Sequence, residues 1–268
     1  MPRARTGSKS DPARMARKGW DEVAASWETF VETGADYHRL NLHGPWLLRA
    51  AGDVRGLRVL DLGCGQGFFS RRLAALGARV AGVDWSKKQI ENALRHEKDH
   101  PLGIDYRSID ARHVDKYWPK NSFDLLFSCM ALMDMPAPEA VLKSAAKVLK
   151  PEGRLVASIC HPCFNSPPVS LWTREDEGDH GPRITDRYFD EGPVLQDWVL
   201  RGTGQKLNVP AWHRTLSTWF DIVRGGGFVI TRLWEPRPTA RQVREYPGFD
   251  GVSRIPFYLV IEARPART

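Results

Sequence analysis

The chain has 268 residues, 42% of them hydrophobic and 26% charged, and a net charge of +7 at pH 7. That length can bury a substantial core in one large α/β domain, and no apolar run approaches the roughly 18 residues of a membrane span. Residues 1–18 carry six Lys or Arg against Asp11 alone, so a tail of +5 leaves the rest of the chain near +2.

The tail, rich in Ser, Gly and Pro, is expected to be a disordered basic arm, with one domain over residues 19–268. It lacks the apolar stretch of a signal peptide. Cys64, Cys129, Cys160 and Cys163 are too few and too unevenly spaced for a disulfide framework, so a cytoplasmic protein with reduced thiols is expected. From residue 19 to 34, Trp20, Val23, Trp27 and Phe30 or Val31 recur at helical spacing, and residues 37–52 suggest a second helix.

"LRVLDLG" (57–63) then reads as a buried strand, and Phe69, Leu73 and Leu76 give the next helix one apolar face before Gly77. "ARVAGVD" (78–84) is a second strand. Ser86 with Gln89 three residues on is a capping-box signature for the helix that follows. "GIDYRSID" (103–110) and "SFDLLFSC" (122–129) are strands three and four, residues 137–153 form a helix, and "RLVASIC" (154–160) is strand five. Strands alternating with helices predict a mainly parallel sheet covered on both faces. Residues 161–212 hold no sustained period and are too long for a plain connection, so a lid or insertion is expected there. A helix (214–227) and two strands (228–236 and 256–264) close the chain.

The chemistry concentrates in "DLGCGQG" (61–67). Glycine permits close approach of the backbone to a ligand, but a dinucleotide fingerprint would need a third glycine at 68, where Phe68 stands. Asp61 would repel a pyrophosphate and attract an ammonium or sulfonium. Asp84 ends strand two, where an acid can accept hydrogen bonds from ribose hydroxyls or serve the following helix dipole. Asp110 follows strand three, within reach of an adenine amino group. Together the three acids describe a nucleoside with positive charge and no phosphate.

With these motifs and "VLKPEGRLV" (148–156), residues 57–160 resemble the class I S-adenosylmethionine-dependent methyltransferases, in particular their bacterial small-molecule branch. The resemblance implies a Rossmann-like doubly wound sheet of seven strands in the order 3-2-1-4-5-7-6, the last antiparallel, with N-terminal helices and an insertion after strand five. It implies S-adenosyl-L-methionine as cofactor and S-adenosyl-L-homocysteine as product. On this chain Asp61, Gly63, Gly65 and Gly67 would hold the methionine end, and Cys64, Gln66, Phe68 and Trp85 would also bind the cofactor. Asp84 would hold the ribose, Asp110 and Ala111 the adenine, and Cys129 and Met130 would line the cofactor beside the transferred methyl.

Methyl transfer needs collinear reactants in a dry pocket, and a base only for hydroxyl or protonated amine acceptors. His161, with His213 second to it, is a candidate base or else a loop cap; Tyr37 and Trp27 are candidates for an N-terminal lid. The Cys160–Cys163 pair has no second pair at zinc spacing, so no metal is expected. Ten tryptophans suggest a planar acceptor, an aromatic or heterocyclic small molecule methylated on oxygen or nitrogen. A nucleic-acid methyltransferase anchored by the basic tail, or a non-catalytic cofactor-binding module, are the alternatives.

Overall fold

The computed structural model describes residues 11–166, 169–176 and 179–266. The expected basic tail divides accordingly. Residues 1–10 lie outside the described residues, and residues 12–18 form the first turns of helix α1 (Pro12–Glu32) rather than a disordered arm. Asp11 accepts the Ala13 N–H and a proline opens the helix, which accounts for this start. Of the α1 stripe, Val23, Phe30 and Val31 are buried, but against Leu200, Leu207 and Val209 of the insertion rather than against the sheet.

The expected second helix is a π-helical turn, Arg39–His43, running into α2 (Gly44–Ala51). Then follow β1 (Arg58–Leu62), α3 (Phe68–Ala75), β2 (Arg79–Asp84), α4 (Lys87–Asp99), β3 (Asp105–Ser108) and β4 (Phe123–Cys129). Helix α5 (Pro138–Val148) stops earlier than expected because Leu149 already pairs with Phe123, and β5 runs Leu149–Cys160. The insertion contains regular structure that its sequence concealed: β6 (Gly192–Val199) pairs antiparallel with β7 (Lys206–His213), with Pro193 and Pro210 inside the hairpin. Helix α6 (Leu216–Gly225), β8 (Phe228–Trp234), the short helices α7 (Ala240–Glu245) and α8 (Asp250–Arg254), and β9 (Tyr258–Pro265) complete the chain.

The sheet has the order β8-β9-β5-β4-β1-β2-β3. Pairs from β3 through β5 are parallel, and β9 is antiparallel to both β5 and β8. Counting sheet strands alone, this is the expected order with the last strand reversed. Alternate residues of β1 face opposite cores. Val59 joins Leu47, Phe69, Leu73 and Ile90 on one face, whereas Leu60 and Leu62 join Val141, Leu142 and Trp219 on the other.

Gly67 caps α3 with φ of 86°, and a Cβ there would overlap the Tyr106 ring and hydroxyl. Gly67→Ala is therefore expected to lose roughly 1–3 kcal/mol of unfolding free energy through backbone strain and overpacking. Urea titration measures this, and an unchanged midpoint would show that Tyr106 yields.

Candidate active site

The parallel strands deliver their carboxyl ends to one edge of the sheet, where ligands collect in doubly wound folds. Gly63, Gly65 and Gly67 all have positive φ, at 73°, 55° and 86°. They are bare for different reasons. A Cβ on Gly63 would overlap Ala131, and Gly67 must clear Tyr106. At Gly65 a Cβ would meet only Gln89 Oε1, at 3.8 Å. The glycine that opens to a ligand is thus the middle one, and Gly67 does not line the cavity.

The loop is held to β2 by the Gly63 and Cys64 N–H groups, which both donate to the Val83 carbonyl at 2.8 and 3.0 Å. Asp84 completes the tie, its carboxylate accepting the Gly65 N–H and the Ser86 N–H, each at 2.9 Å. That second bond breaks the expected capping box. Ser86 Oγ still accepts the Gln89 N–H at 3.1 Å, but the Gln89 side chain has nothing to accept in return. Its Oε1 is buried without a hydrogen-bond partner, on the cavity wall. An unsatisfied buried acceptor beside an open glycine marks a place built for a donor from outside the chain.

Asp61 is 1% exposed and accepts the Ser70 hydroxyl at 2.6 Å. Burial pushes its pKa to about 7 despite that bond, and the neighbouring Asp84 adds to the rise. Burial likewise pushes Asp84 to about 6, against its backbone donors. A buried acid and a half-buried one at the ends of adjacent strands form an electronegative pocket that a cation would relieve. Asp110 differs. Against the cost of burial, the Arg112 guanidinium and N–H hold its carboxyl below the usual range.

These groups line a cavity of about 710 Å³, within the size range of ligand sites. Aromatic rings line it as well. Tyr37 stacks on Tyr246 at 5.8 Å, with the Arg201 guanidinium 5.1 Å from its ring. Trp172 stacks on Phe257 at 5.6 Å. Trp198 of β6 closes the roof, its ring 5.7 Å from Phe30 and 6.4 Å from Trp27 on α1.

The π-helical turn and the residues before it supply the polar groups of this chamber. The Arg39 guanidinium pairs with Asp36 at 2.8 Å and lies 5.4 Å from the Trp27 ring. Burial takes the His43 pKa down to about 3, so its imidazole is neutral, and its Nδ1 stands 3.9 Å from Cys129 Sγ. The Cys129 thiol is itself pushed up to about 12 by burial and stays protonated. Tyr258 Oη lies 3.0 Å from His38 Nδ1.

Of the residues singled out in the sequence, Asp61, Gly63, Cys64, Gly65, Gln66, Phe68, Asp84, Trp85, Asp110, Ala111, Cys129 and Met130 line this one cavity, as do Tyr37 and Trp27. Gln66 spends its side chain elsewhere, donating to Glu32 at 2.9 Å and so fastening α1 to the loop. The two histidine bases are not brought to the cavity. His161 is 3% exposed, its Nε2 lying 3.0 Å from Glu235 and its Nδ1 accepting the Cys163 N–H. His213 lies between Ser166 Oγ at 2.6 Å and the Tyr188 carbonyl at 2.7 Å, beside a separate void of about 60 Å³. Both rings are engaged elsewhere, His161 with Glu235 beyond β8 and with the Cys163 N–H, and His213 with Ser166 and Tyr188 of the insertion. Sequence reasoning missed Asp36, Arg39, His43, Gln89, Asp134 and Tyr258.

Residues 60–157 match the family described as a methyltransferase domain. A ubiquinone biosynthesis O-methyltransferase of Coxiella burnetii is 31% identical over 175 residues, 64% of this chain and 74% of that protein. The crystal structure of an S-adenosylmethionine dependent methyltransferase from Mesorhizobium loti is similar with a TM-score of 0.69 at 32% identity, over 82% of this chain and 96% of the other. The Burkholderia thailandensis 1,6-didemethyltoxoflavin-N1-methyltransferase, solved with S-adenosylhomocysteine, shares the fold at 15% identity with a TM-score of 0.58, over 97% of this chain and 93% of the other. An acid-lined glycine loop on a sheet of this order, in a chain with these relatives, identifies a member of the class I S-adenosylmethionine-dependent methyltransferases.

Proposed function

We propose that this enzyme moves the methyl group of S-adenosyl-L-methionine to an oxygen or nitrogen of a small aromatic or heterocyclic molecule. The observation that carries the reading is one cavity lined both by the acids and glycines of the loop and by the rings of Tyr37, Trp172, Trp198 and Phe257. Flat apolar rings favour a planar acceptor. The curated relative is named an O-methyltransferase, which supports oxygen among the acceptor atoms.

The cofactor supplies an electrophilic methyl on a cationic sulfur, and the chain's own groups bind and orient. Asp61 and the backbone of residues 63–65 receive the cationic amino-acid end. Asp84 and the unpartnered Gln89 oxygen receive the ribose, and Asp110 with Ala111 the adenine. Phe68 and Trp85 are the apolar walls, and Cys129 and Met130 border the reacting centre. Tyr37 contacts the acceptor, while the hairpin roof excludes water, which strengthens every electrostatic contact inside.

Incubating the protein with S-adenosylmethionine and a panel of phenols and nitrogen heterocycles is expected to yield S-adenosylhomocysteine and products one methylene heavier, and silence across the panel would refute this acceptor class. Asp84→Ala is expected to weaken S-adenosylhomocysteine binding by roughly 1–3 kcal/mol through lost hydrogen bonds; unchanged calorimetric affinity would remove the ribose assignment. A cation binds best to ionised acids, and Asp61 and Asp84 gain charge only as pH rises through about 7 and about 6. The dissociation constant should therefore grow roughly tenfold for each pH unit below 7, and more steeply below 6. The empty protein behaves oppositely. Because these folded-state pKa values are raised, its stability falls as pH climbs from near 4 to 7, and a flat profile in both experiments would show that neither acid titrates as described.

A further inference from the structure

Asp134 ends the short 3₁₀ turn Leu132–Asp134 that follows β4. It is 7% exposed and lines the cavity. Among the described residues its carboxylate has one hydrogen-bond donor, Gln196 Nε2 of β6, at 3.0 Å. The turn packs directly on the glycine loop, since a Cβ on Gly63 would overlap Ala131 and stand 3.1 Å from Met135 Cε.

The charged and titratable groups that face Asp134 come from several elements. Asp84 at the end of β2 and Cys160 at the end of β5 both feel its charge or impose theirs. Arg214, ahead of α6, is the opposing cation, but one of its nitrogens is committed to the carbonyls of Met135 and Pro136. Asp134 therefore lies on the wall of the same cavity as Asp84, whose charge it feels, and is tied to the β6 hairpin through Gln196. Burial raises its proton affinity well above that of an ordinary carboxyl, against Gln196 and Arg214.

A merely structural role does not explain a carboxylate here. An asparagine would accept the same Gln196 bond without the desolvation cost of a buried charge. What distinguishes the acid is the capacity to lose and regain a proton beside a transient positive charge.

We propose that Asp134 is the general base of the methyl transfer, resting on the methyltransferase reading above. The sulfonium's positive charge favours its ionised form. As a lone pair on the acceptor oxygen or nitrogen forms its bond to the methyl carbon, the carbon–sulfur pair returns to sulfur, and the acceptor's proton passes to the Asp134 carboxylate. The carboxyl keeps that proton after the products depart and gives it up to solvent when the next S-adenosylmethionine binds.

The test uses the full chain and needs no knowledge of the natural acceptor. Titration calorimetry at about pH 7 in two buffers of different ionisation enthalpy counts the protons exchanged when S-adenosylmethionine or S-adenosylhomocysteine binds. The two share their ammonium and adenosine, so the difference between the counts isolates groups facing the sulfonium. S-adenosylmethionine should release up to about one proton more, and the excess should vanish in Asp134→Asn. An excess that persists in the variant, or is absent from the parent, overturns the proposal; failure of both ligands to bind refutes the methyltransferase reading instead. In a second measurement at about pH 8, Asp134→Asn should slow methylation of phenol by roughly 10²–10⁴-fold and spare 4-nitrophenol, which is already ionised. Equal losses on both would mark Asp134 as structural and overturn the base assignment. A parent inactive on both would count against phenolic acceptors, and the proton count would then decide on Asp134.

Discussion

The arrangement depends on two carboxylates kept from water at the ends of adjacent strands. Asp61 and Asp84 are costly where they stand, and the empty protein lowers that cost by holding protons more tightly than ordinary acids do. A cation supplied from outside removes the penalty directly. The cost of their ionisation is thus a property of where the sheet places both acids, at its carboxyl edge.

The glycine loop shows how little of its shape is owed to the ligand. Gly63 is bare to admit the turn after β4, and Gly67 to admit Tyr106. The protein packs against its own loop from two sides, leaving Gly65 as the opening. Asp84 does double work. By taking the Ser86 N–H it stiffens the loop and leaves Gln89 without its customary backbone partner. One hydrogen bond redirected at a helix start turns a capping residue into a candidate ligand contact.

The strands, their order and the acid-lined end of the cavity were legible in the sequence because each follows from local rules: continuous apolar runs, glycine turns, and acids at strand ends. What was not legible depended on long-range placement. In the hairpin β6–β7 period-two alternation is confined to the first four residues of β7, and Pro193 and Pro210 interrupt the pattern, so the local signal was too short to mark it. His161 read as a candidate base because it follows the end of strand five, yet a side chain's direction past that end is set by the path of the loop, which neither spacing nor composition records. The buried set around Arg39 was hidden because its residues come together only through a π-helical turn, a form that periodicity does not reveal.

The Trp198 roof over the cavity rests on Trp27 and Phe30 of α1 rather than on the sheet. Floor and ceiling of the same chamber therefore belong to different parts of the chain, one fixed by strand pairing and the other by two aromatic faces meeting at an angle. Such a division lets evolution redraw what the chamber admits by exchanging residues in the hairpin and the first helix, while the machinery beneath keeps its dimensions.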